Sequence, residues 1–187
     1  MPIRTLAAAI STVAIFALAS QASAQSATPT FELSAGYQFT HAPDQTFPFG
    51  LNIDGMRHYG SLGLVGEAGW ARHSDDDLGA KFTNNMWNFG AGPRWTGFGS
   101  KSSWPYGQVL AGIAVSHMNL DTAGVSSDTR TSFMVQPGIG MTFVAGDGWG
   151  VFGQVDYRRT FFDEGDNPDR SINNQFRVYA GFRMILD

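Results

Sequence analysis

From Phe31 onward the sequence alternates apolar and polar residues with a period of two, a pattern that fits strands and excludes amphipathic helices. In 31–40, Phe31, Leu33, Ala35, Tyr37 and Phe39 share one face, while Glu32, Ser34, Gly36, Gln38 and Thr40 share the other. The same register runs through 87–95, 131–143, 149–158 and 176–184, and less cleanly through 49–56, 62–71 and 106–116. Eight strands follow, each close to the ~9–11 residues that a tilted membrane strand needs. The intervening segments are roughly 41–48, 57–61, 72–84, 96–103, 117–130, 145–148 and 160–174. Long connections alternate with short ones, which places the long loops at one end and the tight turns at the other. The Ala145-Gly146-Asp147-Gly148 stretch has the chemistry of a hairpin turn.

Alternation alone does not say which face points inward, because a lipocalin-type soluble barrel carries it with the opposite polarity. Three features favour a membrane barrel. The polar face carries Glu32, Asp54, Glu67 and Asp156 against Arg94, Arg158, Arg177 and Arg183. Those charges sum to zero, as a closed interior requires, because a buried unpaired charge costs about 3–5 kcal/mol. On the apolar face, Tyr37, Phe39, Trp70, Trp87, Trp95, Trp149, Tyr157 and Phe176 fall near strand ends, where interfacial girdles of a membrane barrel lie. Composition is the third feature. Only 15% of the 187 residues are charged, and both lysines, Lys81 and Lys101, fall in connections, whereas a soluble barrel needs a charged outer surface.

The remaining composition narrows the function classes. The absence of cysteine excludes disulfide scaffolds, thiolate zinc sites and a cysteine nucleophile. A net charge of −4 excludes the basic footprint of a nucleic-acid binder. Residues 1–24 have the form of a secretory signal, with Arg4 before an apolar run from Leu6 to Ala19 and an Ala22-Ser23-Ala24 cleavage motif. Cleavage between Ala24 and Gln25 leaves a short segment, 25–30, before a barrel domain over 31–187. The connections are acidic, with Asp44, Asp75, Asp76, Asp77, Asp121, Asp128, Asp163, Glu164, Asp166 and Asp169. The Asp75–Asp77 run has oxygen ligands for a divalent cation but not the spacing of a calcium loop, so a solvated acidic loop is the better reading and no metal is expected. His41, His73-Ser74-Asp75 and Ser116-His117 offer the raw material of a hydrolytic relay, although only geometry can decide such a grouping.

The segments Leu62–Glu67, Phe89–Arg94, Gln154–Arg158 and Phe176–Gly181 resemble those of the small eight-stranded outer-membrane β-barrels of Gram-negative bacteria, the OmpA/OmpX-like and opacity-type group. The resemblance covers 31–186. It implies an all-β, antiparallel, up-and-down transmembrane barrel in the cell outer membrane, with long extracellular loops and short periplasmic turns. It also implies a monomer without a cofactor, in contact with outer-membrane lipids, lipopolysaccharide and the barrel-assembly machinery. Barrels of this kind usually end in an aromatic residue read by that machinery; here the end is Met184-Ile185-Leu186-Asp187, with Phe182 in register. The expected role is structural or surface-interactive and non-enzymatic, through envelope integrity or binding of an unidentified surface ligand. The alternatives are a lipid A-modifying enzyme, as some eight-stranded barrels are, and a minor narrow pore. The deacylase motif His-x-Ser-Asn is not matched by Ser116-His117-Met118-Asn119.

Overall fold

In the computed structural model the described residues are 31–43, 45–77, 80–97, 99, 102–120, 128–161 and 174–186, with the backbone alone described at 76, 77, 80–82, 119, 120 and 128. The signal segment, its Ala24–Gln25 junction and residues 25–30 lie outside them. Nine strands form one antiparallel sheet: β1 (Phe31–Ala42), β2 (Gln45–Phe47), β3 (Phe49–Tyr59), β4 (Leu62–Asp77), β5 (Ala80–Thr96), β6 (Ser103–Leu120), β7 (Asp128–Gly146), β8 (Trp149–Phe161) and β9 (Asn174–Leu186). Each strand from β3 to β9 pairs with its neighbour in sequence, and β9 returns to β1 from Phe31↔Leu186 to His41↔Phe176. The sheet therefore closes on itself as an eight-stranded barrel. β2 is an addition to it, folding back on the upper end of β1 with Thr40↔Phe47 and Ala42↔Gln45.

Turn chemistry sets the short end. Gly60 and Gly148 adopt φ of 71° and 76°, values that side chains resist, in the β3–β4 and β7–β8 turns. The chain enters at Phe31 and leaves at Leu186 on this same end. Three prolines, Pro93, Pro105 and Pro137, sit inside strands on the outward face. Opposite Pro137 the β7–β8 ladder skips from Val135↔Arg159 to Gly138↔Asp156, and opposite Pro93 the β5–β6 ladder skips from Ala91↔Ala111 to Arg94↔Gln108. Proline has no N–H to donate, which accounts for these two interruptions; a separate register shift falls between Val144 and Gly146 beside the β7–β8 turn.

The long-loop end differs from the sequence expectation. Residues 72–84 and 117–130 were expected as connections, yet β4 runs to Asp77, β5 begins at Ala80, β6 runs to Leu120 and β7 begins at Asp128. The strands β4 to β7 have 16, 17, 18 and 19 residues, well beyond the ~9–11 that span a bilayer. Their upper parts stand clear of the apolar band, where both faces meet polar surroundings. Alternating hydrophobicity vanishes there while backbone pairing continues. The segment 41–48 likewise contains β2, and 57–61 narrows to a turn after Tyr59.

Polarity is inverted relative to a soluble barrel. Ile139 is 71% exposed and Phe182 68%, whereas Arg94, Arg158, Arg177 and Arg183 are at most 1% exposed. Outward apolar residues recur on every barrel strand, a continuous exposed apolar surface that water does not tolerate on a monomer.

Candidate functional site

An eight-stranded barrel has an interior about wide enough for side chains to fill, and the inward positions here fill it with charge. Toward the short-turn end, Arg94 Nη1 donates to Asp54 Oδ1 at 3.0 Å and Arg94 Nε to Gln108 Oε1 at 2.7 Å. Arg183 lies 3.3 Å from Glu32 and donates to Ser34 Oγ and Thr142 Oγ1 at 2.9 and 2.7 Å. Glu32 also meets His58 Nε2 at 3.0 Å. Tyr106 stands between these groups, with the guanidinium carbons of Arg94 and Arg183 each 4.8 Å from its ring centroid. Cations at that distance are attracted by the ring's electron-rich face.

A second cluster centres on Arg177. Its Nη1 and Nη2 donate to the two oxygens of Glu67 at 2.7 and 2.8 Å, a bidentate pair, and its Nε donates to Asp156 Oδ2 at 2.8 Å. Nη1 also reaches Gln38 Oε1 at 3.1 Å. Among the described residues Arg158 has no carboxylate in contact: its Nε donates to Gln136 Oε1 at 2.7 Å, and Gln136 Nε2 donates in turn to Glu67 Oε1 at 3.2 Å. Gln136 thus links the fourth arginine to the Glu67–Arg177 pair. Glycines make room for these groups. A Cβ at Gly138 would collide with Asp156 Oδ1, and one at Gly140 with the ring of Tyr106.

The eight charges expected inside are therefore all buried, in two clusters with Phe152 and Tyr179 beside them, their rings 4.6 Å apart. The interior is less uniformly polar than the alternation suggested. Met56, Val65 and Leu110 form a buried apolar cluster, and Met134 is also fully buried. His58, Tyr106 and Gln136 were not singled out from the sequence. His58 falls in a stretch read as turn, yet it continues the inward parity of Asn52, Asp54 and Met56.

At the long-loop end β2 turns Phe47 inward, where it is fully buried against Ala71 and Met86. His73 Nδ1 donates to the Thr46 carbonyl at 2.6 Å, which fixes its proton on that nitrogen, and Asn84 Nδ2 donates to Gln45 Oε1 at 2.9 Å. Ser116 Oγ donates to Asn84 Oδ1 at 3.0 Å. Phe47 and its neighbours thereby cover the network from above.

Of the expected girdle, Tyr37, Phe39, Trp87, Trp149 and Phe176 are exposed, and Trp70, Trp95 and Tyr157 are half-buried, all on the outward face. Rings touch in a chain, Tyr37–Phe49 at 6.2 Å, Phe49–Trp70 at 5.8 Å and Trp70–Trp87 at 6.2 Å, on the long-loop side. Tyr157 and Phe176 pair at 5.3 Å on that side. Trp95 and Trp149 stand near the short turns. From Trp87 to Trp95 is about 27 Å of strand, or roughly 20 Å of depth at the tilt usual for such barrels, close to the ~25 Å apolar band.

His117 Nδ1 lies 2.7 Å from Thr129 Oγ1, and His41 Nδ1 lies 2.9 Å from Thr46 Oγ1. Among the described residues no group of His, Asp and Glu is placed to hold a metal ion. Asp75 is exposed at the upper end of β4; the side chains of Asp76, Asp77 and Asp128 and all of Asp44, Asp121, Asp163, Glu164, Asp166 and Asp169 lie outside the described parts.

The outer-membrane protein β-barrel domain matches residues 10–183. This chain belongs to that family. No curated protein sequence matches it. Solved barrels share its fold at low identity. Neisserial surface protein A has 12% identity and a TM-score of 0.63, over 83% of this chain and 96% of that one. The attachment invasion locus protein Ail of Yersinia pestis, solved with the heparin analogue sucrose octasulfate, has 14% identity and a TM-score of 0.52, over 82% and 96%. The N-terminal β-barrel domain of Pseudomonas aeruginosa OprF has 14% identity and a TM-score of 0.50, also over 82% and 96%. The family membership and the inverted polarity together make this a transmembrane outer-membrane barrel.

Proposed function

We propose that this protein is a closed, non-enzymatic barrel of the outer membrane, exported by cleavage after Ala24, that supports envelope integrity or presents its loops to a surface partner. The observation that carries the reading is the filled lumen. Arg177 bonded to Glu67, Asp156 and Gln38 leaves the centre occupied by side chains, and Phe47 covers the end above it. The network then serves as the packed core of the barrel rather than as a filter. In this reading the long-loop end faces outward from the cell and the short turns face the periplasm, as family topology has it.

Loop charge shapes the choice of partner. Ail was solved with a heparin analogue. The ten acidic residues named above would repel such a polyanion, so a cationic or cation-bridged surface suits these loops better. Planar-bilayer recording tests the closed-barrel reading. The expected result is no steady conductance from the reconstituted protein. Reproducible single-channel steps abolished by Arg94→Ala would contradict it. Mass analysis of lipid A after overexpression tests the non-enzymatic half; unchanged acylation is expected, and loss or gain of an acyl chain would overturn it.

A further inference from the structure

The outer face of β3 to β6 carries a groove that nothing inside the protein requires. Gly55, Gly66, Ala91 and Ala111 are direct cross-strand partners in sequence, Gly55↔Gly66, Gly66↔Ala91 and Ala91↔Ala111, and all four are outward positions. Ile53, Ala68, Phe89 and Ile113 rise along one bank and Leu33 stands at the foot, bordering a shallow, open volume of about 540 Å³. Gly55 stands nearer its own turn than Ala111 does to the β5–β6 connection, so the row climbs obliquely through the apolar band.

The two glycines have no internal explanation. Their φ values are not positive, unlike those of Gly60 and Gly148. A Cβ at Gly66 would meet nothing within 4 Å, and one at Gly55 would meet the side chains of Phe31 and Leu33 only at ordinary contact distances of 3.5 and 3.9 Å. Glycine weakens a strand interior and often marks a close approach by something else. Whatever approaches Gly66 comes from outside the barrel, in the hydrocarbon.

Charge at the foot of the groove identifies the occupant. Arg57 is the next outward residue of β3 beyond Gly55, exposed, with its guanidinium 5.6 Å from the ring centroid of Tyr59. It makes no ion pair among the described residues. Tyr59, two residues further along β3, and its cross-strand neighbours Leu62 and Trp95 mark the level of the short-turn interface, where lipid headgroups lie. An exposed arginine at headgroup depth beside an apolar groove that ascends from it matches an amphiphile with a phosphate at one end and a hydrocarbon chain at the other.

We propose that this groove seats one acyl chain of a phospholipid of the short-turn leaflet, with its phosphate held by Arg57. The site rests on the membrane placement argued above. Association inside a bilayer gains nothing from hydrophobicity itself, so selectivity comes from close van der Waals fit against Gly66 and Ala91 and from the phosphate–guanidinium contact.

Native mass spectrometry of the full-length protein in non-ionic detergent with dioleoyl phosphatidylglycerol tests it. The wild type is expected to retain one lipid per barrel above the statistical background. Gly66→Leu fills the groove without touching the interior and is expected to abolish that retention while keeping the gel-mobility shift on heating. Arg57→Gln is expected to weaken retention about fivefold, the effect of one arginine beside an anionic lipid surface. Dioleoylglycerol, which has the chains without the phosphate, is expected to be retained equally by wild type and Arg57→Gln. Equal phosphatidylglycerol retention by wild type and Gly66→Leu would overturn the proposal, as would insensitivity to Arg57→Gln or paired barrels in place of lipid adducts. A wild type lacking the mobility shift would instead overturn the membrane placement.

Discussion

Arg177 is the residue whose loss tests the packed interior most severely. Arg177→Met keeps much of the side-chain volume and removes the guanidinium. Glu67 then loses both bidentate bonds, Asp156 loses its bond to Nε, and Gln38 loses a donor. Two fully buried carboxylates are left with Arg158 as the nearest cation, linked to Glu67 only through Gln136. Breaking a buried ion pair by removing one partner costs about 3–5 kcal/mol, because the remaining charge stays desolvated. At a urea dependence near 2 kcal/mol per molar, that loss lowers the unfolding midpoint by about 2 M. The assay is urea unfolding in phospholipid vesicles followed by tryptophan fluorescence, with gel mobility as a second probe of folding. Adding Glu67→Gln removes one of the stranded charges, so the double variant is expected to be more stable than the sum of the single losses predicts, with a coupling of roughly 1–3 kcal/mol. A loss below about 1 kcal/mol for Arg177→Met, or strict additivity with Glu67→Gln, would refute the argument that these charges depend on one another.

Three further variants probe other parts of the barrel by the same unfolding assay. Phe47→Ala empties the mouth over Ala71 and Met86 and is expected to cost about 3 kcal/mol, the lower end for a buried phenylalanine because water can enter the vacated space. Gly138→Ala drives a methyl group into Asp156 Oδ1, displaces the carboxylate from Arg177 and is expected to cost on the order of 2 kcal/mol. Ile139→Arg, on the most exposed of the large outward apolar residues described, is expected to cost about 2–4 kcal/mol in vesicles; stability unchanged by that arginine would place the outer face in water.

The barrel was legible in the sequence wherever one face of a strand meets lipid. Phe31 to Thr40 alternates because lipid and lumen demand opposite chemistry, and its register could be read residue by residue. Above the apolar band that demand disappears, which is why Arg72 to Ser74, Thr83 and Asn84 fall in a stretch that reads as loop although they pair as ladder, His73↔Asn84 and Ser74↔Thr83. The charges of the lumen could be assigned to a face by parity. Their partners could not, because Arg177 and Glu67 are 110 residues apart and meet only through barrel closure. Phe47 was invisible for a different reason: a three-residue strand carries no period, and its burial depends on β2 folding back over the mouth. The glycine-rich character divides in the same way. Gly138 and Gly140 yield space to Asp156 and Tyr106 inside, whereas Gly66 faces open space on the lipid side, and sequence parity separates these faces without revealing what fills them.

The central claim is that this barrel turns its charges inward and its apolar face to the outer membrane. Membrane fractionation combined with electrophoresis of boiled and unboiled samples tests it most directly. The account predicts that the protein is recovered with the outer membrane and that boiling shifts its mobility as the closed sheet opens. Recovery as a soluble periplasmic protein, with no shift on boiling, would contradict it.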